Sequence, residues 1–82
     1  MRTDRQEIQD LFRVVFQNST LTLFLEMAAK DVASWTSFTH LNLILALEER
    51  FQVRFSSEEI AAMSNVGDLF DALNRHGVAA EW

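Results

Sequence analysis

Ser37-Phe38-Thr39-His40-Leu41-Asn42-Leu43-Ile44-Leu45-Ala46-Leu47-Glu48-Glu49-Arg50-Phe51 is the most apolar helix-forming stretch of this chain. On a helical wheel turning about 100° per residue, Leu43, Ile44, Leu47 and Phe51 make one stripe, and Leu41 and Leu45 widen it sideways. The resulting arc is broader than one core face needs. Leu47 and Phe51 point to a core, whereas Leu41 and Leu45, four and eight residues after Ser37 and on its side of the helix, can serve either as core or as an apolar contact strip. Glu48, Glu49 and Arg50 close a helix over 37–51.

Outward from this stretch the hydrophobic period predicts three more helices. Ile8, Leu11, Phe12, Val15 and Phe16 recur at helical spacing over 4–17, and Thr3 with Gln6 has the form of a capping box. Between 18 and 36 the period is lost, and a connection of that length in a small domain is usually functional or self-packing. Leu21, Leu23, Phe24, Leu25 and Met27 are expected to pin it to the core. Ser56 with Glu59 is a second capping-box pattern ahead of a short third helix over 57–62. Asn65 is the candidate cap of a fourth helix over 66–76, which buries Leu69, Phe70 and Leu73 and stops at Gly77. His76 in its last turn suits the negative end of the helix dipole. The expected fold is therefore all-α, a small four-helix bundle with a long loop between helices one and two and a short third helix. Alternation at Leu21, Leu23 and Leu25 and at Phe51, Val53 and Phe55 offers a two-stranded ribbon as the alternative, ranked lower because an isolated strand pair is marginal.

With 82 residues, two Gly, no Pro and no internal repeat, the chain reads as one domain over 1–82. Twelve acidic against seven basic residues leave a net charge of −5, which repels phosphate backbones and anionic membranes. Nucleic acid and membrane insertion are not expected; a basic partner protein is. The absence of cysteine excludes a disulfide framework and a Cys-type zinc site, and any thiol chemistry must borrow its sulfur. No apolar h-region follows Met1–Arg5, and no apolar run approaches a membrane span, so a soluble, cytoplasmic monomer is expected.

Catalysis is not advertised. His40 and His76 fall in different helices, and no Gly-rich phosphate loop is present. His40 follows Ser37 by one helical turn, which permits a Ser-His hydrolase as a distant alternative to an ordinary helix histidine. Ser37 is more informative for its place at a helix start, where free N–H groups and the helix dipole favour an anion such as an esterified phosphate. The plainer role for Ser37 or Thr36 is to cap the helix.

Trp35-Thr36-Ser37-Phe38-Thr39-His40-Leu41, the string from Leu43 to Phe51, and Val66-Gly67-Asp68-Leu69 together resemble the acyl carrier protein family, in order and spacing as well as composition. The resemblance covers 4–77, nearly the whole chain. It implies that Ser37 receives 4′-phosphopantetheine from a phosphopantetheinyl transferase and that the chain carries an acyl, aminoacyl or peptidyl cargo as a thioester, with no enzymatic activity of its own. Further implied partners are an acyl- or aminoacyl-loading ligase and downstream synthase or transferase enzymes, docking on Leu41, Leu45, Glu48, Glu49, Glu58 and Glu59. Two departures stand out: Thr36 replaces the family's Asp before the serine, and Phe38 its Leu after it. With Thr39 and Asn42 also neutral, the first turns of the helix lack the usual carboxylates, which favours a dedicated pathway over bulk fatty-acid synthesis. An unmodified interaction module of the same fold is the first alternative.

Overall fold

Each helix of the protein starts at a side chain that closes its free N–H groups. In a computed structural model, which describes residues 1–82, Asp4 caps α1 (Arg5–Val15), Thr36 caps α2 (Ser37–Phe51), Ser56 caps α3 (Ser57–Ala62) and Asn65 caps α4 (Val66–Arg75). In each case the cap oxygen accepts an N–H three residues on, as N-caps do. Ser56 and Glu59 form the reciprocal box read from the sequence. Gly77, at φ +86°, takes the left-handed conformation that ends α4.

The cap of α1 is a correction: Asp4, not Thr3, accepts from the Glu7 amide at 3.0 Å. Thr3 lies instead in a short strand, β1 (Arg2–Asp4), which pairs in parallel with β2 (Ala79–Glu81) in the register Arg2↔Ala79, Thr3↔Ala80, Asp4↔Glu81. Its hydroxyl donates to the carboxylate of Glu7, which also pairs with Arg50 at the far end of α2. The helical bundle therefore carries a minor ribbon that clips its two ends together. The ribbon foreseen as the alternative, between 21–25 and 51–55, does not form.

The long segment between α1 and α2 runs through turns with a single antiparallel bridge, Ala28 to Asn65; the Val66 and Gly67 N–H groups at the start of α4 bond its Met27 and Leu25 carbonyls, and side chains of α1 bond its earlier part. The buried Gln9 carboxamide accepts the Leu23 N–H at 2.9 Å, and Arg13 Nε donates to the Leu21 carbonyl at 2.8 Å. These bonds satisfy backbone groups that a strand ladder would otherwise have to meet. Leu21, Leu23 and Met27 are buried as expected, but Phe24 and Leu25 are not: both side chains face solvent. A 3-10 turn at Ala29–Asp31 and the Trp35 ring complete the segment; the indole packs edge-on against Phe12 at 5.7 Å and tilted against Phe16 at 5.6 Å between ring centres.

Helices α1, α2 and α4 meet through Ile8 and Phe12, Leu43 and Leu47, and Leu69 and Leu73, all essentially without solvent exposure. This packing resolves the wide arc of α2. Leu43, Ile44, Leu47 and Phe51 are core, whereas Leu41 and Leu45 keep 52% and 61% of their surface exposed. Truncating a fully buried leucine loses transfer free energy and leaves a void, so Leu47→Ala should cost about 2–5 kcal/mol. Leu45→Ala should cost at most about 1 kcal/mol, as surface changes do. Chemical-denaturation midpoints of the two variants check the division.

Candidate functional site

Thr36 takes the capping role at α2, and that frees Ser37. The Thr36 hydroxyl accepts the Thr39 N–H, and the Thr39 hydroxyl accepts the Thr36 N–H at 2.8 Å while lying 2.7 Å from the Ser34 carbonyl. Ser37 is the first residue of the helix proper, exposed, with its hydroxyl engaged by no neighbour. The Ser37 and Phe38 N–H groups have no intrahelical acceptor, and no acidic side chain occupies the first turn. Two free donors, an uncompensated helix dipole and an accessible hydroxyl make a position suited to an esterified phosphate.

Beside Ser37 lies an open cleft of about 800 Å³ between the start of α2 and α3, lined by Trp35, His40, Leu41, Ile60 and Met63 among others. The hydrophobic period gives no sign of this cleft, because its second wall is a helix that contributes no fully buried residue. His40 does not face Ser37 as a base. Its Nδ1 accepts the Trp35 indole N–H at 3.1 Å, an arrangement that assigns the proton to Nε2, 3.2 Å from the Ile60 carbonyl. With both ring nitrogens engaged, the serine-hydrolase alternative has no free lone pair to draw on.

The other residues singled out from the sequence divide into two groups. Leu41, Leu45, Glu49 and Glu58 are exposed. Phe38, which sequence reading treated only as a departure, joins the leucines with 74% of its surface exposed. At positions one, four and eight residues after Ser37, the three side chains form an unbroken apolar stripe down the outer side of α2. Its only sequence signal was an aromatic residue in the first turn of an already over-wide arc. Glu48 and Glu59 are engaged inside the fold: Glu48 accepts the Phe55 N–H at 2.9 Å, pinning the chain between α2 and α3, and Glu59 joins the cap of α3 to His76 at 2.8 Å. His76 thus serves as more than a partner for the α4 dipole; it ties α4 to α3 and meets the Phe55 ring edge-on at 4.9 Å.

The comparisons with known proteins agree with a small helical bundle. The holo acyl carrier protein of Geobacter metallireducens, solved in solution, superimposes with a TM-score of 0.82 at 33% identity, over 88% of this chain and 83% of that one. The chain belongs to the acyl carrier protein family. A Mycobacterium tuberculosis protein assigned as an acyl carrier protein shares the fold at 17% identity and a TM-score of 0.78, over 87% of this chain and 95% of that chain. No protein-family model and no curated protein matches the chain. No helix is long and apolar enough to cross a membrane.

The anchoring of α3, one wall of the cleft, depends on pH. The Glu59 carboxyl is held below its ordinary value of 4.5, first by the Ser56 N–H and then by His76. Asp68, which accepts from the backbone N–H and hydroxyl of Ser64, is likewise held below 3.8. A carboxyl that binds its proton less tightly when folded contributes stability in full above its unfolded value and loses it as pH falls through the lower folded value. Glu59→Gln should therefore be less stable than the parent at neutral pH, and the gap should narrow as pH falls below the ordinary carboxyl value of 4.5. Urea midpoints of both proteins across this range check the effect.

Proposed function

We propose that the chain is a carrier whose cargo, an acyl, aminoacyl or peptidyl group, rides as a thioester on 4′-phosphopantetheine attached to Ser37 in a dedicated biosynthetic pathway. The observation that carries this reading is the division of labour at the start of α2: Thr36 caps the helix, so the Ser37 hydroxyl stays free beside two unpartnered N–H groups. The prosthetic group would supply the thiol that a chain without cysteine lacks. Ser37 provides the ester oxygen, and the Ser37 and Phe38 N–H groups steady the negative charge placed on it. The matching holo structure supports the same reading.

The chain itself does carriage, not catalysis, and relies on a phosphopantetheinyl transferase, a loading ligase and a downstream synthase or transferase. These partners dock on Phe38, Leu41 and Leu45, an apolar stripe that reaches the attachment point. Glu49 and Glu58 lie exposed near it, while Glu48 and Glu59 add their charge to the field although their oxygens are bonded internally. Because Thr39 and Asn42 are neutral, docking depends on apolar contact near the serine and on charge only farther along α2 and on α3. That balance suits dedicated partners rather than strongly basic, general ones.

Two outcomes test the reading. Ser37→Ala should abolish labelling from coenzyme A by a broad-specificity transferase while costing less than about 1 kcal/mol, because Thr36 supplies the cap. Labelling of Ser37→Ala at Ser34, Thr36 or Thr39 would place the attachment elsewhere, and a parent protein that never labels would leave the unmodified interaction module. Thr36→Asp keeps a competent cap and adds a carboxylate next to the serine. It should speed labelling several-fold at low salt, with the gain shrinking as salt screens the pair. Initial rates across a salt series check it.

A further inference from the structure

Helix α3 buries no residue completely, and two side chains reach across to it, each a histidine. His76, the residue that ends α4, holds Glu59, and His40 of α2 holds the Ile60 carbonyl. The two tethers respond to a proton in opposite ways. Protonation of His76 leaves its donor in place and adds a charge opposite a carboxylate, so that tether tightens. Protonation of His40 has a different result, because its Nδ1 is the acceptor for the Trp35 indole N–H. A proton taken up there sets donor against donor: the bond to Ile60 survives and the bond to Trp35 is lost.

We propose that His40 is a proton-operated latch on the cleft beside Ser37, closed when the neutral imidazole joins Trp35 to α3 and open when the imidazolium releases the indole. Trp35 stands two residues before Ser37 and also packs edge-on against Phe12 and tilted against Phe16, so loss of its bond to His40 loosens the chain that enters the attachment site. The imidazole and indole rings lie nearly parallel, 19° apart, with their centres 6.1 Å from each other.

The cleft that His40 lines offers it no counter-charge. Its ring nitrogens meet the Trp35 indole and the Ile60 carbonyl, and Thr36, Ser37, Leu41, Ser57, Ala61, Met63 and Ser64, which line the cleft with it, carry no charge. The charged residues next to the lining in sequence are turned to other partners or lie outside it. Asp31 accepts the Ala28 N–H, Asp68 accepts from Ser64, Glu59 is bonded to Ser56 and His76, and Lys30 and Glu58 do not line the cleft. An imidazolium at this position gains no carboxylate in exchange for the indole bond it loses.

The latch itself stands on geometry alone. Its consequence, that His40 is a positioning residue for modification of Ser37, rests on the carrier reading. The chain has two tryptophans, and Trp82, which packs on Phe70 and beneath Arg5, serves as an internal control. Lowering the pH from about 8 to about 5, the span over which histidine side chains commonly change charge, should move the Trp35 indole N–H resonance in step with the His40 ring signals and leave that of Trp82 in place. In His40→Asn, where Oδ1 can replace Nδ1 as a non-titrating acceptor, the Trp35 signal should not respond. The labelling rate of Ser37, measured relative to His40→Asn at each pH, should fall by about three- to tenfold on the acid side, the fold-change of one hydrogen bond.

A Trp35 indole that stays fixed while His40 titrates would overturn the latch, and the parent protein alone decides this should His40→Asn fail to fold. A moving indole with a flat rate ratio would overturn the positioning role. A moving indole in a protein that never labels at any pH would uphold the latch and overturn the carrier reading.

Discussion

Burial of Leu43, Ile44, Leu47 and Phe51 against α1 and α4 is the constraint on which the rest of the molecule depends. A helix can turn only one arc inward, and once these four side chains fill the core the rotation of α2 is fixed. Phe38, Leu41 and Leu45 must then face solvent, and Ser37 must begin the helix on the side where they begin their stripe. Turning α2 to bury the stripe would expose side chains that now lose nearly all contact with water, at about 1.5–3 kcal/mol for each of them. The apolar surface beside the serine is thus held out by the core rather than left over from it.

The same economy of contacts shapes the elements around α2. The segment before it has no strand ladder, so Gln9 and Arg13 of α1 and the first N–H groups of α4 bond its backbone, and Trp35 fastens its end to the aromatic layer of Phe12 and Phe16. Helix α3 has too few turns to build a core face of its own, and side-chain bonds at its edges hold it. Regions with few buried contacts open at lower free energy than a packed core. The two walls of the cleft by Ser37 therefore differ in degree: α2 is fixed by four buried side chains, α3 by the half-buried Ile60 and by hydrogen bonds from His40 and His76.

Much of this was legible in the sequence, and what was not has local causes. The four helices follow from apolar spacing, and the caps Ser56 and Asn65 and the stop at Gly77 follow from side-chain chemistry at helix ends. Thr3 misled because its cap pattern competes with a three-residue strand too short to show alternation, and the structure uses Asp4 instead. Phe24 and Leu25 misled because apolar character alone does not say which side of an extended segment meets the core. At the candidate site, the place of Ser37 at the helix start was readable from position, its role only from the family resemblance, and the width of the apolar arc left Leu41 and Leu45 open between core and surface. The bond from Trp35 to His40 was not, since it spans five residues across a helix start and follows neither a helical nor a strand period. The internal roles of Glu48 and Glu59 were hidden for a related reason: an acidic residue on a helix looks alike in sequence whether it meets solvent or a backbone N–H across a loop.

The central claim is that the free hydroxyl at the start of α2 carries a prosthetic arm. Intact-mass measurement of the protein purified from its native host, followed by fragmentation to locate any added group, tests it most directly. A mass increase equal to one phosphopantetheine, confined to Ser37, is the expected result. A chain of unmodified mass in a host whose other carriers are modified, or an arm found on another residue, would contradict the account.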